Sequence, residues 1–325
     1  MKPRKLVVIG TSAGGIEALH AILSRLPATL PAAVLIVLHT STGAGHVLQK
    51  VLGCSSSLPV QYPEDRTEMQ QGRVYLAPPD FQMTVEDGQI RVLKEARENR
   101  HRPAIDPLFR SAARHYGAQV LGVILTGLLD DGALGLMVVH AHGGKAIIQD
   151  PRTAQFPGMP ESALKQIPDA RVLPLVEIAP TVAALVEGDL SPEPPTADNS
   201  KIGEENRRGR PSEFACPDCG GVLWEAEDGG LLHFRCRVGH AFTVRQLDAE
   251  RRRATDAALW SGLRALEENA ALYRRMADRA TKGSRDATAE KLNERAASAE
   301  SSARVLKAFL IRSNQQIPEW AGHQD

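Results

Sequence analysis

Two groups of residues carry chemistry in this sequence. The first begins with Gly10-Thr11-Ser12-Ala13-Gly14, which fits the pattern G-x-S-x-G and follows the apolar run Leu6-Val7-Val8-Ile9. On a strand-to-helix elbow, a serine hydroxyl projects above the carboxyl edge of a sheet. The backbone N–H groups that follow it lie at a helix N-terminus and can hold an oxyanion. The same glycines suit a phosphate-cradling turn, although the spacing is not G-x-G-x-x-G and no acidic residue ends the second apolar run. That run, Ala33 to Leu38, ends in His39 instead. A third, Val120 to Leu125, leads into Thr126-Gly127-Leu128-Leu129-Asp130-Asp131-Gly132. Asp131 or Asp130 is placed to orient an imidazole, and either is also a suitable cap for a helix starting at Ala133. The chain order Ser, His, Asp differs from the Ser, Asp, His order of α/β-hydrolases, which disfavours a lipase-like fold.

The second group is Cys216-x2-Cys219-x16-Cys236-x3-His240. Two thiolates from one tight turn and a Cys/His pair from another suit a tetrahedral Zn²⁺ with no open position, so the expected site is structural. A segment of about thirty residues buries too little to fold unaided, and metal binding supplies the missing free energy. His233 is the alternative fourth ligand, but it lies between Leu232 and Phe234 in a strand pattern, so His240 is preferred. A redox dithiol is disfavoured because nothing around Cys216 and Cys219 reads as a thioredoxin-like βαβ unit. Cys54, the fourth cysteine, reads as a passive thiol. With three of four cysteines in one segment, a disulfide framework is not expected, and the implied compartment is cytoplasmic.

Positioning the first group requires a sheet. From Leu6 to about Gly188, β-branched runs alternate with stretches of helical period, the pattern of a parallel sheet covered by helices. Expected strands are Val7–Ile9, Ala33–Leu38, Gln119–Leu125 and Ala146–Gln149, with a helix over Ile16–Leu26. A hairpin of Met83–Val85 and Ile90–Val92 around Asp87-Gly88 is expected as an edge insertion. The fold class read from this is α/β with a doubly wound, mainly parallel sheet, then a small zinc-ribbon-like module and a C-terminal helical hairpin. The expected divisions are residues 1–188, a flexible Pro- and charge-rich linker over 189–212, the module over 213–242 and the helical tail over 243–325. In the tail, Leu259, Leu263, Leu266, Ala270, Tyr273 and Ala277 form one seam. Leu292, Ala296, Ala299, Ala303, Leu306 and Leu310 form another, with a break at Lys282-Gly283-Ser284.

Thirty-nine basic residues balance thirty-nine acidic ones, so no chain-wide field draws the protein to nucleic acid or to an anionic membrane. No apolar run reaches the roughly 18 to 20 residues that span a bilayer. Arg251-Arg252-Arg253 and Arg274-Arg275 share their helices with Glu267, Glu268 and Asp278 and read as solvated faces. Neither nucleic-acid binding nor membrane embedding is expected.

The blocks of the first region resemble the chemotaxis protein-glutamate methylesterases, the CheB family. Gly10-Thr11-Ser12-Ala13-Gly14-Gly15 is similar to the family's nucleophile turn, His39 to its base, and Thr126 through Gly132 to its acid-bearing loop. Leu76-Ala77-Pro78-Pro79-Asp80, Arg100-His101-Arg102-Pro103, Asp106-Pro107-Leu108-Phe109 and Phe156-Gly158-Met159-Pro160 extend the resemblance over about residues 5 to 187. It assigns Ser12, His39 and Asp131 to a catalytic triad. It also implies cofactor-free hydrolysis of glutamate γ-methyl esters on chemoreceptors, with glutamine deamidation as a related activity. The candidate oxyanion donor is the Ala13 N–H, with an amide near Leu128 as the candidate second. Leu128 and Gln82 stand where Met and His are common in the family, and both are read as affecting substrate fit. Arg100 and Arg102 read either as receptor contacts or as a solvated or ion-paired loop. The family's phospho-receiver domain is not expected here, so activation must come from elsewhere. The helical tail is a candidate surface for signalling partners. The rival reading is a non-catalytic scaffold that binds receptor helices.

Overall fold

In the computed structural model, which describes residues 3–39, 45–188, 209–228 and 231–315, the chain opens with β1 (Leu6–Thr11), α1 (Gly15–Leu23) and β2 (Ala33–Leu38). Next come α2 (Gly45–Ser55), the short strands β3 (Val60–Gln61), β4 (Thr67–Glu68) and β5 (Arg73–Leu76), and the hairpin β6 (Gln82–Glu86) and β7 (Gln89–Leu93). Helices and strands then alternate through α3 (Ile105–Tyr116), β8 (Val120–Ile124), α4 (Ala133–Ala141), β9 (Lys145–Gln149), α5 (Gly158–Gln166), β10 (Arg171–Leu173) and α6 (Leu175–Glu187).

Seven of these strands form one sheet in the order β10-β9-β8-β1-β2-β5-β3, parallel at every pairing. Successive side chains of a strand point to opposite faces, and both faces of this sheet are covered, so its central strands are apolar throughout. Leu6 and Val8 join Leu108, Phe109, Leu136 and Met159 on one side, where α3, α4 and α5 pack. Val7 and Ile9 join Leu19, Ile22, Leu52 and Val182 on the other, beneath α1, α2 and α6. Each such Leu or Ile stabilises the fold by about 1.5–3 kcal/mol relative to exposure. Register does the rest. Thr11 lies beside Leu38 and Gly10 beside Ile124, so the segments after β1, β2 and β8 leave the same sheet edge side by side. That edge, where the order turns back on either side of β1, is where open α/β sheets place their sites.

Three expectations need adjustment. The hairpin does not extend the main sheet but forms a separate three-stranded sheet, β4-β7-β6, because β7 pairs on its other side with Thr67 and Glu68. The first helix stops at Leu23, its last turn closed by N–H bonds from Ser24 and Arg25, before Pro27 is reached. The Cys/His module starts at Arg210, inside the stretch read as linker, because Arg210 and Pro211 pair with Glu225 and Trp224. The remainder of that linker, 189–208, lies outside the described residues.

The module is an antiparallel four-stranded sheet of β11 (Arg210–Ala215), β12 (Val222–Asp228), β13 (Leu231–Cys236) and β14 (Ala241–Thr243). It belongs to the same compact unit as the α/β sheet, Met1–Leu247. Asp248–Asp325 is a second unit, an antiparallel pair made by α7 (Val244–Lys282) from Asp248 onward and α8 (Asp286–Gln315), turning through Gly283-Ser284. Its seam holds Leu263, Ala303 and Leu310 at one end and Ala277, Ala280, Ala289 and Leu292 at the other. Among the described residues no helix is long and apolar enough to cross a membrane.

Candidate active site

Ser12 follows β1 directly. Its amide donates to the Thr126 carbonyl at 3.1 Å, which ties the elbow to the end of β8. Gly14 permits the turn: its φ of +73° belongs to the left-handed region, and a Cβ there would lie 2.6 Å from Gln155 Oε1. Thr126 stitches the strand ends together. Its amide donates to Gln149 Oε1 at 2.9 Å, its hydroxyl donates to the Ala13 carbonyl at 3.0 Å, and the same hydroxyl oxygen accepts from the Phe156 amide at 2.9 Å. Gly127 is held to close quarters, since a Cβ there would sit 2.1 Å from Met159 Sδ and 3.0 Å from Ser12 Cβ.

The structure brings Ser12, His39 and Asp131 together. Ser12 Oγ lies 3.1 Å from His39 Nδ1, and His39 Nε2 lies 2.7 Å from Asp131 Oδ2. Aspartate accepts only, so Nε2 carries the proton and Nδ1 is free to accept from the serine hydroxyl. Ser12 is half-buried while Asp131 is buried. Burial works against the Asp131 charge, but the bond from His39 and the Ile105 amide at 2.8 Å hold it well below the usual carboxylate range. Its other oxygen accepts from Asn99 Nδ2 at 2.9 Å.

Neither aspartate caps α4 with its side chain, contrary to one of the two uses read for them; Gly132 stands at the N-cap position instead. Asp131 is engaged by His39, and Asp130 Oδ1 accepts from the Thr243 hydroxyl of the module at 2.9 Å. Burial pushes Asp130 up to about 6. Burial and the neighbouring Asp131 also raise Asp106, whose Oδ1 accepts from the Gly135 amide at 2.7 Å.

Other side chains near the row had drawn no role from their spacing. His101 stacks on His39 with ring centres 3.5 Å apart and planes 7° from parallel. Desolvation pushes His101 down to about 3, so it is a neutral plate against the imidazole. Glu98 is buried beneath Arg110 and Arg235, whose charges outweigh the cost of burial and keep its carboxyl below the ordinary value. Arg102 forms an internal pair with Asp80, its Nε at 3.0 Å from Oδ1. Gln82 is buried, accepting from the Ala104 amide at 2.8 Å and donating to the Ala96 carbonyl at 3.0 Å, which makes it a brace between loops.

The ligand atoms of Cys216, Cys219, Cys236 and His240 all lie within 4.8 Å of one another. Cys219 Sγ is 3.6 Å from Cys236 Sγ, and His240 Nδ1 is 3.6 Å from Cys216 Sγ and 3.5 Å from Cys236 Sγ. Bonds of 2.3 Å to sulfur and 2.0–2.1 Å to nitrogen place the corners of a tetrahedral cation site about 3.8 and about 3.6 Å apart, so the donor set fits one. Burial pushes the Cys216 thiol up to about 12 despite bonds from the Cys219 and Asp218 N–H groups, while the Gly221 N–H lowers Cys219 to about 7. His233 lies outside this cluster.

A family model described as CheB methylesterase matches residues 7–182. The chain is 36% identical over 185 residues to a putative protein-glutamate methylesterase/protein-glutamine glutaminase of Leptospira interrogans, covering 57% of this chain and 96% of that protein. It is 39% identical to protein-glutamate methylesterase/protein-glutamine glutaminases of Nitrosospira multiformis and Moorella thermoacetica, spanning about half the length of each, 52% and 45%. The crystal structure of the Thermotoga maritima CheB methylesterase catalytic domain superposes with a TM-score of 0.54 at 35% identity, covering 56% of this chain and 98% of that one.

Proposed function

Because the chain belongs to the CheB methylesterase family, we propose that it hydrolyses glutamate γ-methyl esters, and deamidates glutamine, on the cytoplasmic helices of methyl-accepting chemoreceptors, with Ser12, His39 and Asp131 as the catalytic triad. The observation that carries this reading is the unbroken hydrogen-bonded row from Ser12 Oγ through both nitrogens of His39 to Asp131.

Ser12 Oγ attacks the side-chain carbonyl carbon as its proton passes to His39 Nδ1. Asp131, still ionised at neutral pH, holds the Nε2 proton and stabilises the imidazolium. The tetrahedral oxyanion is met by the Ala13 N–H, a donor of a kind that contributes about 3 kcal/mol in related sites. Collapse of the intermediate breaks the bond to methoxide or amide, which leaves as methanol or ammonia with the proton from Nδ1. Water then adds to the acyl-serine ester, gives its proton to Nδ1 and releases the glutamate carboxyl, while the Ser12 hydroxyl is restored by the same proton.

The Cys216, Cys219, Cys236 and His240 set is read as holding a structural Zn²⁺. All four corners are protein atoms, so the ion supplies folding free energy and takes no part in the hydrolysis.

The test is release of volatile methanol from radiomethylated receptor membranes by the parent and by Ser12→Ala. Release by the parent alone is expected. Equal release from both, or none from the parent, overturns the enzymatic reading in favour of a scaffold.

A further inference from the structure

The Cys/His module does more than sit beside the sheet. Immediately after His240, β14 runs along the segment that carries Glu98 and Asn99. The Asn99 amide donates to the Ala241 carbonyl at 2.7 Å, the Ala241 amide donates to the Arg97 carbonyl at 3.3 Å, and the Thr243 amide donates to Asn99 Oδ1 at 3.0 Å. On its other side, Asn99 Nδ2 donates to Asp131 Oδ1 at 2.9 Å and to Asp106 Oδ2 at 3.1 Å. Asn99 is 3% exposed, and its φ of +48° is a conformation that asparagine tolerates better than most residues.

A carboxamide turned end for end looks much the same, so what faces each end determines which way it points. A backbone N–H can only donate, and the one from Thr243 therefore draws the amide oxygen toward the module. The amide nitrogen is left to face the carboxylate. The buried Asp131 carboxylate, which only accepts, draws the nitrogen from the other side, so the two contacts together hold one orientation of the amide. Two further ties hold the module in place: Thr243 Oγ1 donates to Asp130, and Arg235 Nη2 pairs with Glu98 at 2.8 Å.

We propose that Asn99 is a positioning residue for the triad and that β14 of the Cys/His module sets its orientation, so that the module is a working part of the hydrolytic site. This rests on the esterase reading above. Asn99 holds Oδ1 of Asp131, with a longer bond from the Asp106 amide at 3.4 Å beside it, and so helps to fix the direction in which Oδ2 meets Nε2. The module supplies a donor, the Thr243 amide, that holds the Asn99 oxygen away from Asp131.

The test labels Ser12 with a fluorophosphonate ester, which reports the activated hydroxyl independently of the natural substrate. Alongside it, ¹H NMR observes the low-field proton between His39 and Asp131, and thermal unfolding is followed. A hydrogen bond to a charged group is worth roughly 10- to 100-fold, so Asn99→Ala is expected to slow labelling by about that factor and to move the low-field proton, while unfolding stays cooperative. Thr243→Pro removes the backbone donor together with the hydroxyl, which Thr243→Val also lacks, so the contrast between the two isolates the donor, and Thr243→Pro is expected to slow labelling similarly. Thr243→Val keeps that donor and is expected to label within about twofold of the parent. Should Asn99→Ala not fold, Thr243→Pro against Thr243→Val decides the matter from the module side. Parental labelling and an unmoved proton in folded Asn99→Ala, or in folded Thr243→Pro, overturn the proposal while leaving the esterase intact. A parent that labels no faster than Ser12→Ala yet loses the low-field proton in Asn99→Ala overturns the esterase reading and keeps the positioning role.

Discussion

The Ser12–His39–Asp131 row and the Cys/His cluster are both assembled from distant short turns, but they depend on the chain in opposite ways. Ser12, His39 and Asp131 stand on the edge of a sheet whose core is complete on both faces without them. The cysteines are themselves part of the small core their module has, since among the described residues Cys216 and Cys236 are buried with Leu223, Phe234, Phe242 and Leu247, and Phe214 packs against them. Where the fold is secured elsewhere, polar groups are free to be placed for chemistry. Where the apolar core is too small, the polar groups must do the folding themselves.

The largest expected effect tests the first half of that contrast. Asp131→Asn keeps the shape but offers a donor where His39 Nε2–H needs an acceptor, so methanol release is expected to fall about 10³- to 10⁴-fold. Unfolding remains cooperative because the sheet does not depend on the charge. A fall of less than tenfold would mean that the imidazole is oriented by something other than Asp131.

Cys236→Ser tests the second half. Loss of one ligand is expected to cost most of the metal-dependent folding free energy, several kcal/mol. Limited proteolysis should then open residues 210–243 while the α/β core keeps its own transition, and metal analysis should drop from one zinc per chain to well below it. Absence of stoichiometric zinc in the parent, or an equally resistant module in the variant, would erase the contrast. A parallel fall in Ser12 labelling would sharpen it, since the small module would then be supporting the large one's chemistry through Asn99.

Legibility in the sequence follows the same division. The strands were readable because burial on both faces leaves an uninterrupted apolar run, and Ser12 and His39 because they end such runs. The clustering of Cys216, Cys219, Cys236 and His240 was readable because each half of it is built from neighbours in sequence. Asn99 was not, because its meaning lies in a bond to Thr243 across a separation of 144 residues, and nothing local distinguishes it from any polar loop residue. His101 was hidden for the same reason, since stacking on His39 depends on how two loops meet. The aspartates before α4 misled in one respect. Acidic residues ahead of a helix usually cap it, but a buried carboxylate takes whichever donors the interior offers, here His39, Asn99 and the Ile105 amide for one and Thr243 for the other.

Asp130 gives the smallest effect and the most direct probe of where the two regions touch. It is buried, accepts from Thr243, and has its carboxyl raised to about 6 from an ordinary 3.8. A raised value in the folded state means that the folded chain holds the proton more tightly than the unfolded one. The group's contribution is therefore complete below about pH 4 and is lost as pH rises through about 6. At 1.36 kcal/mol for each pH unit across that window, the loss approaches roughly 3 kcal/mol. Asp130→Asn cannot ionise and should lack this dependence. Urea unfolding of parent and variant between pH 4 and 8 isolates the group from every other carboxyl: the stability of the parent minus that of the variant is expected to decline from pH 4 to about 6 and to level off above 7. A difference that stays flat, or rises with pH, would mean that the Asp130 carboxylate is solvated in the folded protein and that the module does not seal this side of the site.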